Sequence, residues 1–404
     1  MTTAASPSIH RGLVSRKLKT AVFALEGMNA LSTTYFFYDI YFYTAAQFHF
    51  GTLQNLILAA GVGLIYAISA FLGGRFAQRF GYFTSVRLGS ALMAVLFLLG
   101  SQINGLGGTL AIIVLGNMSL CLTWPALQAL MSEGEPPARL QGLVGIYNVI
   151  WAGVGAVAYF AGGWMLQNLG MKSIFYVPGF LLVAQTGYVW WLERAAESQP
   201  IEKPQPRLVV PVADGHTSHL SPALFLRMAW VANPLAYLAI NTVIPTIPSL
   251  AAHFHFSDRE AGFICSIWLF VRAGAFVFLR LWPNWHYRFR FLAGAYVGMV
   301  ASFAALLLTQ SLALLLLAQV VFGLCIGLIY YSSLFYSMDV GETKGEHGGI
   351  HEAAIGLGNA GGPALAALAL AFFPSDQWSG TMAVCALLVV GLGALYAMRY
   401  RTNR

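Results

Sequence analysis

Long apolar runs separated by short polar stretches make up most of this chain. A helix needs about 20 predominantly apolar residues to cross a bilayer. Six runs of about that length or more precede a polar stretch, at 19–47, 53–73, 84–103, 107–131, 142–168 and 173–193. Six follow it, at 224–252, 260–282, 290–309, 312–337, 350–373 and 378–398. The runs are too long and too uniformly apolar for the two-residue alternation of a spanning β-strand. The pattern therefore predicts an all-α membrane protein with 12 transmembrane helices. The stretch from Arg194 to Ser221 is charged and proline-rich and holds no long apolar run. It reads as a solvated linker, 194–221, between an N-terminal six-helix bundle, 1–193, and a C-terminal one, 222–404.

The two sides echo each other. Phe48-His49-Phe50 returns as Phe254-His255-Phe256, a shift of 206 positions. Glu133 returns as Asp339, Gly142 as Gly348 and Gly155 as Gly361 at the same shift. One constant offset at four separated places points to an internal duplication.

Composition sharpens the class. Hydrophobic residues make up 58% of the chain and charged residues only 9%, against roughly 25% charged in soluble domains. Lipid does not solvate charge, so a spanning protein carries few. The net charge of +7 does not signal nucleic acid, because the basic residues lie between the apolar runs rather than in a patch. With the N-terminus placed in the cytoplasm, every Lys and Arg falls on the inner side except Lys172 and Arg259 outside and Arg272 within a span. The positive-inside rule is then met by nearly every loop, which puts both termini and the linker in the cytoplasm. Cys121, Cys265, Cys325 and Cys385 sit inside apolar runs without paired or metal-ligand spacing, so they read as small buried residues. The first twenty residues are polar and basic and lead into a full-length span, which predicts an uncleaved first helix.

The turn after the second run reads Gly73-Gly74-Arg75-Phe76-Ala77-Gln78-Arg79-Phe80-Gly81. It resembles the signature loop of the major facilitator superfamily, a Gly followed four positions on by Asp, then a basic residue and a Gly. Gly74, Arg79 and Gly81 match, and Gln78 stands at the Asp position, which removes the charge a gate would use there. The fifth run is rich in glycine (Gly145, Gly153, Gly155, Gly162, Gly163) but lacks the Gly-Pro of the antiporter motif. That pair occurs instead in the eleventh run, as Gly362-Pro363. The resemblance covers the organisation of the whole chain. It implies two six-helix bundles related by pseudo-two-fold symmetry that rock about a site near the membrane midplane. It also implies that the first, fourth, seventh and tenth helices line the cavity.

Arg272 is the sharpest anomaly, midway along the eighth span. An arginine at the bilayer centre costs at least ~2.5 kcal/mol unless it faces a cavity or a carboxylate. Its duplicate position is Tyr66, so the fold does not demand the charge. Two readings stay open: a fork that binds an anionic group, or one member of a structural ion pair. Ser32, Tyr35, Asp39 and Tyr43 share one face of the first helix, and Asp39 is a candidate to exchange a proton or else an interfacial acid held by tyrosines. Glu26 lies on another face and reads first as an inner-end contact. Asn241, with Pro245 and Pro248, marks a break or kink in span seven. Trp124 with Gln128, Tyr330 with Tyr331, Asn148 with Trp151, and Asn359 offer aromatic walls or hydrogen bonds, each also compatible with plain packing. The inner segment near His347, His351 and Glu352 lacks a third metal ligand and reads as a cap and inner gate.

No nucleophile–base grouping, phosphate loop, cofactor or metal motif is present, so an enzyme is not expected. The expectation is a monomeric inner-membrane carrier of a small organic solute, coupled to protons. A lipid-moving relative and a transport-inactive sensor are the alternatives. A lateral groove would favour the first, and an added signalling domain the second.

Overall fold

A computed structural model describes residues 16–132, 135, 137–198, 220–340 and 344–401, with side chains except at 16–17, 137–141, 283, 338–340 and 344–353. The linker segment 199–219, Glu133, and the side chains of Asp339, His347, His351 and Glu352 lie outside that description.

Among the described residues the chain is helical, with no strand. In the first half run α1 (Arg16–Phe48), α2 (Thr52–Phe80), α3 (Tyr82–Gly100), α4 (Leu106–Ser132), α5 (Pro137–Leu169) and α6 (Ser173–Glu197). In the second run α7 (Pro222–His253), α8 (Asp258–Leu281), α9 (Phe289–Leu308), α10 (Leu312–Val340), α11 (Lys344–Phe372) and α12 (Ser379–Arg401). Ten of these are long and apolar enough to cross a membrane. The two that are not, α1 and α6, are as long but more polar, and they turn their polar groups inward. Glu26, Asn29, Ser32 and Asp39 of α1 are each 0% exposed. Gln185 of α6 donates to Asn29 Oδ1 (3.1 Å) and to Ser90 Oγ of α3 (2.8 Å). The outer surface is apolar, as in the row Ile57, Leu64, Ile68 and Leu72 along α2.

The duplication is visible in the backbone. His49 and His255 both adopt φ 56°, a left-handed conformation uncommon for a residue other than glycine. Each follows the end of a long helix, and the amide after it folds back over that end, across six residues in the first half and five in the second. Phe50 N–H reaches back to the Thr44 carbonyl (3.3 Å), and Phe256 N–H to the Ala251 carbonyl (2.9 Å). The next helix then starts alike. Gly51 N–H donates to Gln54 Oε1 (3.0 Å), and Ser257 N–H to Glu260 Oε2 (2.9 Å), which satisfies an otherwise orphaned amide. The tripeptide is thus a helix stop repeated once per half.

Two helices are interrupted where local chemistry requires it. Pro125 cannot donate to the carbonyl four residues back and clashes with it. α4 accordingly breaks into Leu106–Leu120 and Trp124–Ser132. α8 breaks at Ser266, whose hydroxyl donates to the Phe263 carbonyl (3.0 Å) in competition with the helix ladder. α7, by contrast, stays one helix through Pro234, Pro245 and Pro248, so the break that its prolines suggested is not formed.

The halves meet along α2 against α11 and α5 against α8, with α1 facing α7 between them. Glycine permits the first contact. A Cβ on Gly63 would fall 2.5 Å from the Ala360 nitrogen, and one on Gly356 would fall 2.6 Å from the Ala67 Cα. In the resembling loop the packed glycine is Gly73, whose face abuts the Cys121 carbonyl at the α4 break, whereas Gly74 has open space. Gly81, at φ 96°, makes the turn, and Gln78 and Arg79 are exposed.

Overpacking a close helix contact costs about 1–3 kcal/mol, while Ala for Gly in an open helix position gains up to about 1 kcal/mol. Gly63→Val is therefore expected to lower the melting temperature in detergent by several degrees and Gly74→Ala to leave it equal or higher. Equal shifts for both would refute the packing at α2 and α11.

Candidate functional site: a cavity between the halves

Between the two halves lies a cavity of about 170 Å³. From the first half, Thr34, Tyr38 and Tyr41 of α1 reach it, with Trp124 and Gln128 of α4 and Trp151 of α5. From the second half come Tyr237 and Asn241 of α7, Tyr330 of α10 and Asn359 of α11. The α4 break places Trp124 at the cavity. The ring of Trp151 meets it edge-on at 6.0 Å and lies nearly parallel to Tyr330 at 5.6 Å.

The polar wall is an amide pair. Asn241 Nδ2 donates to Asn359 Oδ1 (2.7 Å) and to the Tyr237 carbonyl (3.0 Å). A backbone carbonyl only accepts, so the orientation of the Asn241 amide is set by the Tyr237 contact.

Arg272 of α8 backs this cavity without lining it. It is 4% exposed, and its guanidinium lies 4.7 Å from the Trp151 ring centre and 5.2 Å from that of Trp268. Its Nε has no acceptor, and no carboxylate pairs with it among the described residues. The structural ion pair that the sequence allowed is therefore not formed among the described residues. Two indole faces hold the cation, where cation–π contacts are worth about 0.5–2 kcal/mol each. The duplicate position, Tyr66, does line the cavity.

The polar face of α1 chosen from the sequence is not its cavity face. Tyr35 Oη pairs with Ser173 Oγ of α6 (2.7 Å), and Ser32, Tyr35, Asp39 and Tyr43 are all buried away from the cavity lining. The cavity face was hidden because threonine and tyrosine at Thr33, Thr34, Tyr38 and Tyr41 read as ordinary span residues. Both acids of α1 are wholly buried without a hydrogen-bond partner. Asp39 packs against Gly162 of α5, where a Cβ would fall 2.6 Å from its Cγ. Asp258, at the start of α8, and the phenols of Tyr35 and Tyr159 are its electrostatic neighbours. Glu26 faces the Tyr147 hydroxyl without a well-formed bond, and Tyr147 lines the cavity.

Toward the face where α1 ends, the halves are closed. Thr52 Oγ1 donates to Ser249 Oγ (2.7 Å), Phe160 stacks on Phe263 at 4.3 Å, and Gly163 abuts the Asp258 carbonyl. Toward the face where α5 begins and α8 ends, a second cavity of about 240 Å³ opens beside Asn148, Arg280, His286 and Tyr331. Among the described residues no group of three or more His, Cys, Asp or Glu is placed to hold a metal ion.

The sequence profile of the Major Facilitator Superfamily matches residues 22–233 and again residues 229–404. The chain belongs to this superfamily. Its match over each half agrees with the repeated helix stops. The human organic anion transporter MFSD10 shares the fold at a TM-score of 0.68 and 15% identity, over 94% of this chain and 99% of that one. The nucleoside transporter NupG does so at 0.64 and 14%, over 94% and 98%. A curated relative, the tetracenomycin C resistance and export protein of Streptomyces glaucescens, is 29% identical over 146 residues. That match spans 35% of this chain and 26% of the relative. This superfamily member is thus an integral, multi-pass membrane protein.

A buried arginine without a carboxylate contributes little stability, and an apolar residue of similar length is tolerated in its place. Arg272→Met is expected to leave the melting temperature of the purified protein within a few degrees of wild type. A collapse of the transition would show that the cation holds the halves together.

Proposed function

We propose that this chain is a secondary active carrier that moves a small organic solute by alternating access, coupled to protons. The observation that carries this reading is a cavity lined by both halves, closed toward one face, with an uncompensated buried acid at the closed seam. The bundles 1–193 and 222–404 would rock about the cavity, joined by the linker 194–221. The solutes in the relatives' names, tetracenomycin C, nucleosides and organic anions, support a small organic cargo.

The coupling follows from the seam. Asp39 neighbours Asp258, tyrosines and the face of Gly162, and it forms no ion pair among the described residues. Closing that side over a charged carboxylate would strand the charge in a dry site, which costs several kcal/mol. Closure therefore selects the protonated acid, and opening releases the proton to water. Glu26, roughly 20 Å away along α1 at 1.5 Å per residue, is the second acid that could carry the proton, through Tyr147. Asn241, Asn359, Trp124, Gln128 and Trp151 hold the solute. Asn148 and Tyr331 line its route toward the inner face. The distribution of Lys and Arg supports a cytoplasmic membrane with both termini inside, and the protein works as a monomer.

Two measurements test this. Uptake of a nucleoside, an organic anion and tetracenomycin C is followed in proteoliposomes with and without an imposed gradient. One pH unit is worth about tenfold accumulation per coupled proton. We expect gradient-driven accumulation for at least one solute, and exchange without gradient response in Asp39→Asn. Loss of the response in Glu26→Gln alone would move the proton site to Glu26, and equal flux with and without the gradient would remove coupling altogether. Separately, Ser198→Cys is expected to react with an impermeant thiol reagent in inside-out but not right-side-out vesicles. The reverse would overturn the orientation.

A further inference from the structure

The central cavity selects its ligand by charge and by the pattern on one edge. Nine of its 21 described lining residues are aromatic and none is charged. The volume of about 170 Å³ is a little more than the roughly 150 Å³ of a cavity that holds a benzene ring, the scale of a compact one- or two-ring solute. Aromatic walls at Trp124, Trp151 and Tyr330 suit a planar ring.

The amide pair then fixes the edge. Asn241 uses its Nδ2 on Tyr237 and Asn359, and Asn359 uses its Oδ1 on Asn241. What remains is an acceptor, Asn241 Oδ1, beside a donor, Asn359 Nδ2. A donor next to an acceptor is matched by a ligand carrying an acceptor next to a donor, which is the N–H and C=O edge of a cyclic amide. The charge preference follows from Arg272. Its guanidinium occupies the Trp151 ring at 4.7 Å, and Trp151 is a cavity wall. A ligand cation against that wall would lie roughly 8–10 Å from the buried charge, where Coulomb repulsion at an effective dielectric near 20 weakens binding roughly twentyfold.

From this we infer that the cargo is an uncharged, planar heteroaromatic of one or two rings with a lactam edge. Arg272 acts as a charge filter through Trp151 rather than as a ligand contact. The inference rests on the carrier reading above.

Three bicyclic probes of nearly equal size separate the elements: 2-quinolone, N-methyl-2-quinolone and N-methylquinolinium. Binding to the purified full chain is measured by calorimetry, with the melting transition of every variant recorded. The lactam is expected to bind, its N-methyl form about 5–100-fold more weakly because an amide partner is left unpaired, and the cation roughly twentyfold more weakly. Asn241→Leu should erase the gap between the first two, because it removes the acceptor for the ring N–H, whereas Asn359→Leu should weaken both alike. Arg272→Met should erase the gap between the lactam and the cation, and Arg272→Lys should keep it. Equal affinity for 2-quinolone and N-methylquinolinium in wild type would overturn the filter, and equal affinity for the two quinolones would overturn the edge. Filling the cavity by Ala59→Trp, or by Ile244→Trp where the first does not fold, distinguishes the levels. If another probe binds best and its binding is lost on filling, the cavity stands and the ligand class falls. If no binding responds to filling, the central cavity is not the site and the carrier reading falls with it.

Discussion

Hydrocarbon offers a polar group no partner, and this constraint organises the molecule. Hydroxyls, amides and carboxyls within a span are therefore driven to face protein or a wet space rather than lipid. α1 shows the effect most clearly. It is among the least apolar of the helices, yet it buries Asn29, Ser32 and Asp39 on one side and presents Thr34, Tyr38 and Tyr41 to the cavity on the other. A helix of that composition fits only where the remaining spans surround it. Its place between α5, α6 and α7 is therefore a consequence of its polarity.

The same constraint shapes how the halves touch. The ion pairs among the described residues, Lys19–Glu135 and Arg87–Glu193, both lie within the first half. Among the described residues, contacts across the seam include glycine against backbone, ring against ring, the Arg272 cation over the Trp151 ring, and a hydroxyl bond from Thr52 to Ser249. A neutral hydrogen bond is worth only about 0.5–1.5 kcal/mol net. Such a seam can part without separating charges in a low dielectric, as a moving interface requires. The charges that are buried near it, Asp39 and Arg272, have no opposite partner in the closed arrangement. In the proposed cycle each acts on something that comes and goes, a proton for Asp39 and the charge of a ligand for Arg272.

Arg272 also illustrates how a functional group can act without contact. Its cation is spread over two indoles, one of which forms the cavity wall. This position costs stability and contributes no ion pair, in keeping with the tendency of working sites to sacrifice stability for function.

Much of the architecture was legible before any coordinates. Span number and helical class follow from run length, because bilayer thickness sets a minimum length that composition alone reveals. The duplication followed from one constant offset, and the two histidines at φ 56° show that the repeated tripeptide encodes a helix stop. Individual anomalies, an arginine and two acids inside spans, were equally plain, since lipid makes them expensive wherever they point. Tertiary structure alone decided what each one faces. Helical periodicity assigned Tyr35 and Asp39 to one face of α1 but not whether that face met the cavity or α6 and α5. It offered no carboxylate for Arg272 and no sign that two tryptophans would take that place. Membership of the cavity depends on contacts between residues as distant as Asn241 and Asn359, and a pattern read along one chain carries no term for separations of that kind.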